Sequence, residues 1–400
     1  MIQIKEKITL GAQTALLRRC VLKDLDLNEE LEKSGLTYDN LRYRTYEEER
    51  LENRVAVRIE NLRQSSRKIP AISFFSGAGG LDIGFDYAGF SNLAAIETNA
   101  LFCETLRFNN PKRLVIGPPD FSGDVRERED IADILKKLVG IASPFEGVFH
   151  GGPPCQPFSI ASNQRFAKGD SNFKRKGFSD KKRGTLLDDY AWFIRKFKPK
   201  VFLIENVPGL HEMDNGKELN RILEQLTRVG YSIMSPTILN AADFGVPQNR
   251  RRIIIVGSRT GETFEVPKSE KSIIPCFDVF QQKIFDDKNH ITREHTAQSV
   301  LRYMELDYGE RDQLGRVDRL NPLLPSKTVI AGGVAGGGRS HLHPYSPRTL
   351  SVRESARLQT FPDDYIFIGP SARQFTQVGN AVPPLLAFKL AHQIYKQFYS

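Results

Sequence analysis

One junction leaves this chain few folds. Ala71-Ile72-Ser73-Phe74-Phe75 runs straight into Ser76-Gly77-Ala78-Gly79-Gly80-Leu81-Asp82-Ile83-Gly84-Phe85. The apolar run predicts a buried strand, and the glycines predict a tight turn opening a helix. A strand that ends in such a turn, at a helix N-terminus with free N–H groups, is the ligand-binding corner of an open α/β sheet. Spacing narrows the ligand. The G-x-G-x-x-G dinucleotide fingerprint would need a third glycine where this chain has Asp82, so a nicotinamide cofactor is disfavoured. Asp82 and Asp86 are expected as helix-start and solvent-facing charges.

The same rhythm recurs downstream. Leu93-Ala94-Ala95-Ile96 predicts a second strand ending at Glu97, a carboxylate placed to hold two ribose hydroxyls beside the glycine turn. Asp124, in Gly123-Asp124-Val125 after the loop Gly117-Pro118-Pro119, is a further candidate. Gly147-Val148-Phe149 predicts a strand leading into His150-Gly151-Gly152-Pro153-Pro154-Cys155-Gln156-Pro157-Phe158-Ser159. Pro153 and Pro154 bar a helix and stiffen the approach to Cys155. A sulfur on such a turn faces a cleft, whereas a structural cysteine sits more often within an element facing the core. Cys155 is therefore the candidate nucleophile.

Val201-Phe202-Leu203-Ile204 predicts a buried strand that delivers Glu205-Asn206-Val207-Pro208 at its end. A carboxylate there is costly to bury without a task or a partner. Arg250 and Arg252 enter a strand over Ile253–Gly257 and share one face, as a binding pair or a salt-bridged sheet edge. Leu187–Phe197 predicts a helix. Arg348–Pro362 predicts a capped helix stopped by proline, and Gln377–Pro384 opens the last helix. Residues 165–183 carry eight Lys or Arg interleaved with Phe166, Phe173 and Phe178, which suits phosphate contact and closure over a substrate, or a merely flexible loop.

The net charge of +9 suits a polyanionic partner. Four cysteines without a CxxC pair argue against a zinc site and a disulfide framework, and for a reducing cytosol. No apolar run reaches the length of about 18 residues that a membrane span needs, and residues 1–7 lack a signal-peptide core. Residues 1–68 predict a helical extension. Within it Leu31–Arg44 looks like a helix–turn–helix, with Gly35 in the turn, Thr37 capping a second helix, Leu31 and Leu41 packing the pair, and Arg42 and Arg44 near the reading helix. A helical brace on the main domain is the other reading. From Arg259 to about Tyr345 the α/β rhythm stops, and a glycine-rich stretch appears at Ala331–His341.

Six blocks together resemble a bacterial-type DNA (cytosine-5) methyltransferase over roughly residues 70–400: Phe75–Gly80, Gly152–Ser159, Glu205–Val207, Gln248–Arg252, Arg353–Gln359 and Gly379–Val382, in that family's order. The resemblance implies a doubly wound, mostly parallel α/β sheet of the Rossmann-like methyltransferase kind. It implies a catalytic and cofactor-binding domain at 69–259, a smaller target-recognition domain at 260–345 and a return segment at 346–400, with residues 1–68 outside. The implied donor is S-adenosylmethionine, with no metal, and the implied substrate is double-stranded DNA. A cytoplasmic monomer is expected, paired in function with a restriction endonuclease but not in a stable complex.

By the same resemblance, Cys155 attacks C6 of a flipped cytosine, Glu205 supplies a proton at N3, Arg252 holds O2 and Asn206 supports the site. Phe75, Gly77, Ala78, Gly79, Glu97, Thr98, Asp124, Leu186 and Asn380 are assigned to the donor pocket, and Pro154 to the wall between donor and base. Ser159, Arg165, Arg183, Arg250 and Arg339 are assigned to DNA, with Arg250 either bracing its loop or meeting phosphate. An RNA cytosine methyltransferase on the same framework is the nearest alternative within enzymes. A DNA-binding regulator with an inactive methyltransferase body is the alternative outside them, disfavoured by the intact Cys155 and Glu205.

Overall fold

The computed structural model describes residues 7–45, 59–62, 68–154, 186–212, 216–281, 288–290, 292–331 and 341–400. Its main sheet is built from Ile69–Phe74 (β1), Phe90–Ile96 (β2), Leu114–Ile116 (β3), Val148–Gly151 (β4), Val201–Asn206 (β5), Ser232–Ile233 (β6), Thr237–Asn240 (β7) and Arg251–Ser258 (β8). The order is β3-β2-β1-β4-β5-β8-β6, with β7 also paired to β8. The first five strands are parallel, and β8 runs antiparallel to β5.

The strands read as unbroken apolar runs because both faces of the sheet are covered. In β5, Val201 and Leu203 join a core with residues of the helices Gly80–Tyr87 and Pro384–Phe398. Phe202 and Ile204 join the opposite core, with the helices Arg128–Lys137, Leu186–Phe197 and Lys217–Arg228. Successive side chains thus feed two layers, as the period of two requires. The strand order reverses direction between β1 and β4. Loops leaving the carboxyl ends of these strands diverge there and open a crevice.

Asp82 departs from expectation. It is fully buried on the first turn of its helix, accepting from Ser73 Oγ at 2.5 Å and from Arg113 at 3.0 Å. Asp86 takes the other arm of the same guanidinium. The sequence pattern placed both in solvent because the helix start favours acids. Their partner lies near β3, too distant in sequence to be seen. Burial pushes the Asp82 carboxyl up to about 6.

The helix–turn–helix does not form among the described residues. The helices Leu10–Lys23 and Leu27–Lys33 are capped by Thr9 and Asp26, but Thr37 starts only the short 3-10 turn Tyr38–Asn40. Leu17, Cys20, Leu27, Leu31, Tyr38 and Leu41 pack on Ala297, Val300 and Met304. Residues 7–45 brace the region around helix Ala297–Tyr303, while Ile59 and Leu62 of the same segment pack into the core of the main domain. Arg44 pairs with Glu305 at 2.5 Å. A small second sheet, Arg311–Asp312, Val317–Arg319 and His341–Leu342, belongs to the same region. Residues 262–281, expected in the second domain, lie on the main body: Phe264 stacks on Phe398 and Glu270 pairs with Lys389.

Candidate active site

The crevice has two halves. In the first, the chain leaving β1 turns through left-handed φ values at Phe75 (53°) and Gly77 (56°). That region is costly for a side chain as large as phenylalanine. The turn presents Gly77 N–H to Glu97 Oε2 at 2.8 Å, while Glu97 Oε1 accepts from Asn99 N at 2.8 Å. Thr98 adds its own main-chain N–H and side-chain hydroxyl, so donors from three residues fix the carboxylate beside the turn. Burial raises the Glu97 pKa, and the main-chain N–H groups oppose it. A Cβ on Gly77 would meet nothing nearer than Phe75 O at 4.0 Å, so the space above the turn is open.

Neighbouring loops close on this corner. A Cβ on Gly123 would sit 2.2 Å from Glu97 O, and one on Gly80 would sit 2.2 Å from Val382 O. The first contact brings Asp124 toward Glu97, and the second brings Asn380 toward the glycine turn. Tyr365 donates its hydroxyl to Ala78 O at 2.8 Å, fixing the turn from below. Leu186 and Phe75 border one apolar cluster, in which the Phe75 and Tyr190 rings are 6.1 Å apart. Thr98 is exposed beside Glu97. Asp124 is already engaged: Arg126 Nε donates to both of its oxygens at 2.8 and 2.9 Å. That hydrogen bonding holds its carboxyl below the usual range.

The second half lies beyond β4 and β5. Register pairs Gly151 with Ile204, so Glu205 stands one residue past the shared ladder. Glu205 is buried and accepts from Arg252 Nε at 2.8 Å. Burial raises its pKa, while Arg252 and then Arg250 pull it back. Asn206 Nδ2 donates to Pro153 O at 3.3 Å and thereby ties β5 to the proline turn. Pro154 is exposed at the edge of the crevice. Cys155, Ser159, Arg165, Arg183 and Arg339 lie outside the described residues.

Gly152 was not singled out from sequence, although the glycine pair before the prolines signals a close approach. A Cβ there would stand 2.7 Å from Glu205 Oε2. Gly152→Ala is expected to push the carboxylate off Arg252 and to lower turnover by on the order of 10²-fold, the scale of a 1 Å misplacement. The donor affinity should be unchanged. Steady-state kinetics beside donor titration checks this, and an unaffected turnover would show that the carboxylate moves freely.

Arg250 needs a correction. Its side chain is buried and donates to Val329 O at 3.0 Å and Gly379 O at 2.8 Å. Of its two expected roles, bracing the loop is the one seen here: the guanidinium faces carbonyls inside the protein. It belongs to a buried network that sequence reading missed. Gln248 Nε2 donates to Gln359 Oε1 and Leu358 O, and Gln359 Nε2 donates to Val378 O. Three of the six sequence blocks are thus bound together by side-chain amides. His150, on β4, is likewise held inside the protein. It donates to Asn92 Oδ1 at 2.6 Å, stacks on Phe85 at 4.1 Å, and is kept neutral by burial, its pKa pushed down to about 3.

A family model for C-5 cytosine-specific DNA methylases matches residues 69–396. The chain belongs to this family. It is a DNA (cytosine-5) methyltransferase, with S-adenosylmethionine as methyl donor. The Type II methyltransferase M1.HphI of Haemophilus parahaemolyticus is 33% identical over 81% of this chain and 86% of its own length. M.Eco47II of Escherichia coli is 30% identical over 89% and 87%. Among solved structures, a prophage-encoded E. coli protein described as a DNA modification methyltransferase has 24% identity and a TM-score of 0.67, covering 83% of this chain and all of that one. The S. pombe Dnmt2 methyltransferase has 17% identity and a TM-score of 0.55, covering 84% of this chain and all of that one. These two likenesses bear on the fold.

Proposed function

We propose that the protein methylates C5 of one cytosine within a short duplex sequence by covalent catalysis, and that this protects DNA from a cognate restriction enzyme. C5 of cytosine is a weak nucleophile. Addition of the Cys155 thiolate at C6 forms an S–C6 bond and breaks the C5–C6 π bond, whose electrons form C4=C5 and displace the C4–N3 π pair onto N3. Glu205, whose pKa burial raises against the pull of Arg252, places a proton at N3 and turns C5 into an enamine carbon. Arg252 holds the cytosine O2 and Glu205 together. The bound donor supplies the methyl group as an electrophile to C5. Water or another base then takes the C5 proton, the C5–H electrons re-form C5=C6 and expel Cys155 as thiolate, and N3 returns its proton to Glu205, restoring the aromatic ring.

The residues of the first half suit the donor: Glu97 for ribose hydroxyls, the open side of Gly77 for close main-chain approach, and Phe75, Leu186 and Asn380 at the rim. Asp124 joins them once Arg126 swings away. The base reaches the second half only when rotated out of the helix, at about a few kcal/mol. Residues 165–183, including Arg165 and Arg183, close over it with Ser159, and the part of 260–345 beyond residue 281, including Arg339, reads the groove. One observation carries this reading: the buried Glu205–Arg252 pair stands against the Gly152-Pro153-Pro154 turn, at the same end of the sheet as Glu97.

Expression in a host without cytosine methylation, followed by bisulfite sequencing, should show 5-methylcytosine at one short motif and resistance to a nuclease cutting there. Methyl transfer confined to RNA would replace this reading with the RNA one.

A further inference from the structure

Two buried arginines, Arg319 of the second lobe and Arg348 at the start of the return segment, find partners in the N-terminal segment, which lies outside the family match. Arg319 donates to Thr45 Oγ1 and Thr45 O, each at 3.1 Å, and its guanidinium lies 3.6 Å from the Tyr43 ring centroid and 4.1 Å from that of Tyr308. Its remaining bonds go to Leu306 O and Pro344 O. Arg348 spans two elements: Nε donates to Asp39 Oδ1 at 2.7 Å, and its other nitrogens donate to Glu354 at 2.8 and 2.9 Å. Glu354 also completes the capping box of helix Val352–Leu358, whose last carbonyl holds Gln248. A continuous chain of contacts therefore leads from Asp39 to the network around Arg250.

Further ties fix the stretch 343–346. Tyr43 OH donates to His343 O at 2.8 Å, and Lys7 Nζ donates to Tyr345 O and Ser346 Oγ as well as to Asp39 O and Leu41 O. Losing the N-terminal contacts leaves Arg348 with Glu354 and Arg319 with Leu306 O and Pro344 O, so each guanidinium stays held on one side and is free to shift on the other.

We infer that residues 7–45 are a positioning element for target recognition: Asp39 through Arg348, and Thr45 with Tyr43 through Arg319, set the orientation of the lobe that reads DNA. This rests on the proposal that the part of residues 260–345 beyond 281 contacts the groove. Asp39→Ala combined with Thr45→Ala, in the full chain, tests it by the ratio of kcat/KM on the cognate duplex to that on single-base-altered duplexes. The ratio should fall by about tenfold, the lower end of what a lost base contact gives. Donor affinity should hold, and Asp39→Asn alone should lose less. A merely structural role would lower the active fraction and leave the ratio untouched. An unchanged ratio, or a donor affinity that falls in parallel, overturns the inference. Photo-crosslinking of DNA to the wild-type protein separates the two levels: no crosslinks within 282–345 would defeat the underlying reading, whereas crosslinks there with an unchanged ratio would defeat only the role of residues 7–45.

Discussion

Cys155→Ala is expected to end methyl transfer altogether, and with it the covalent adduct that the wild-type protein should form with a duplex carrying 5-fluorocytosine at the target. Fluorine at C5 has no route to leave as a cation, so after methylation the S–C6 bond persists and the complex survives denaturation. Loss of the thiol removes the step that makes C5 reactive, and no described side chain can replace it. His150, the nearest imidazole in sequence, is buried and neutral beneath the sheet. Glu205 is engaged with Arg252. The turn itself should persist in the variant, because Asn206 holds Pro153 O and β4 is paired on both sides. Denaturing electrophoresis of labelled duplex and a donor-binding titration are the two measurements. Methylation at near wild-type rate in Cys155→Ala would remove the residue from the mechanism, whereas loss of both adduct and donor binding would point to a damaged fold.

The layers of the sheet were legible because strands buried on both faces must be apolar throughout. Val201–Ile204 announced itself for that reason, and its alternate residues feed opposite cores. The glycine turn after β1 was legible because main-chain approach at a left-handed φ leaves few residue choices. Contacts between distant segments were not. Tyr365 reaches Ala78 across nearly the whole chain, and a lone tyrosine carries no local sign of that bond. A period of two put Arg250 and Arg252 on one face but could not say that one would meet carbonyls and the other a carboxylate. At the N-terminus, Gly35 marked a break correctly. What followed it was decided by packing on helix Ala297–Tyr303, where an extended strip ending in Tyr43 and Thr45 satisfies Arg319 better than a second helix would.

Glu205→Gln is expected to lower methyl transfer by ~10²-fold or more, the usual scale of general acid–base contributions, with a smaller effect on donor binding. The side chain keeps its shape and can still meet Arg252 through its carbonyl oxygen, but it has no acidic proton for N3. The pH dependence distinguishes this from a packing defect. Burial raises the Glu205 pKa, so the native state holds this proton to higher pH than an exposed carboxyl does. Activity that needs the proton is present on the acid side of the raised value and declines as pH rises through it. Stability has the same sign: the contribution of the protonated, buried group is full below the unfolded carboxyl pKa of about 4.3 and is lost as pH rises through the folded one. Arg252 opposes the shift, so Arg252→Met should move the decline to still higher pH while weakening the hold on cytosine. In Glu205→Gln the decline should vanish from the kcat/KM profile, leaving only the acid-side rise that belongs to thiolate formation. An alkaline limb of unchanged position in that variant would assign the proton to another group, and equal losses in turnover and donor affinity would mean that the glutamine had disturbed the fold.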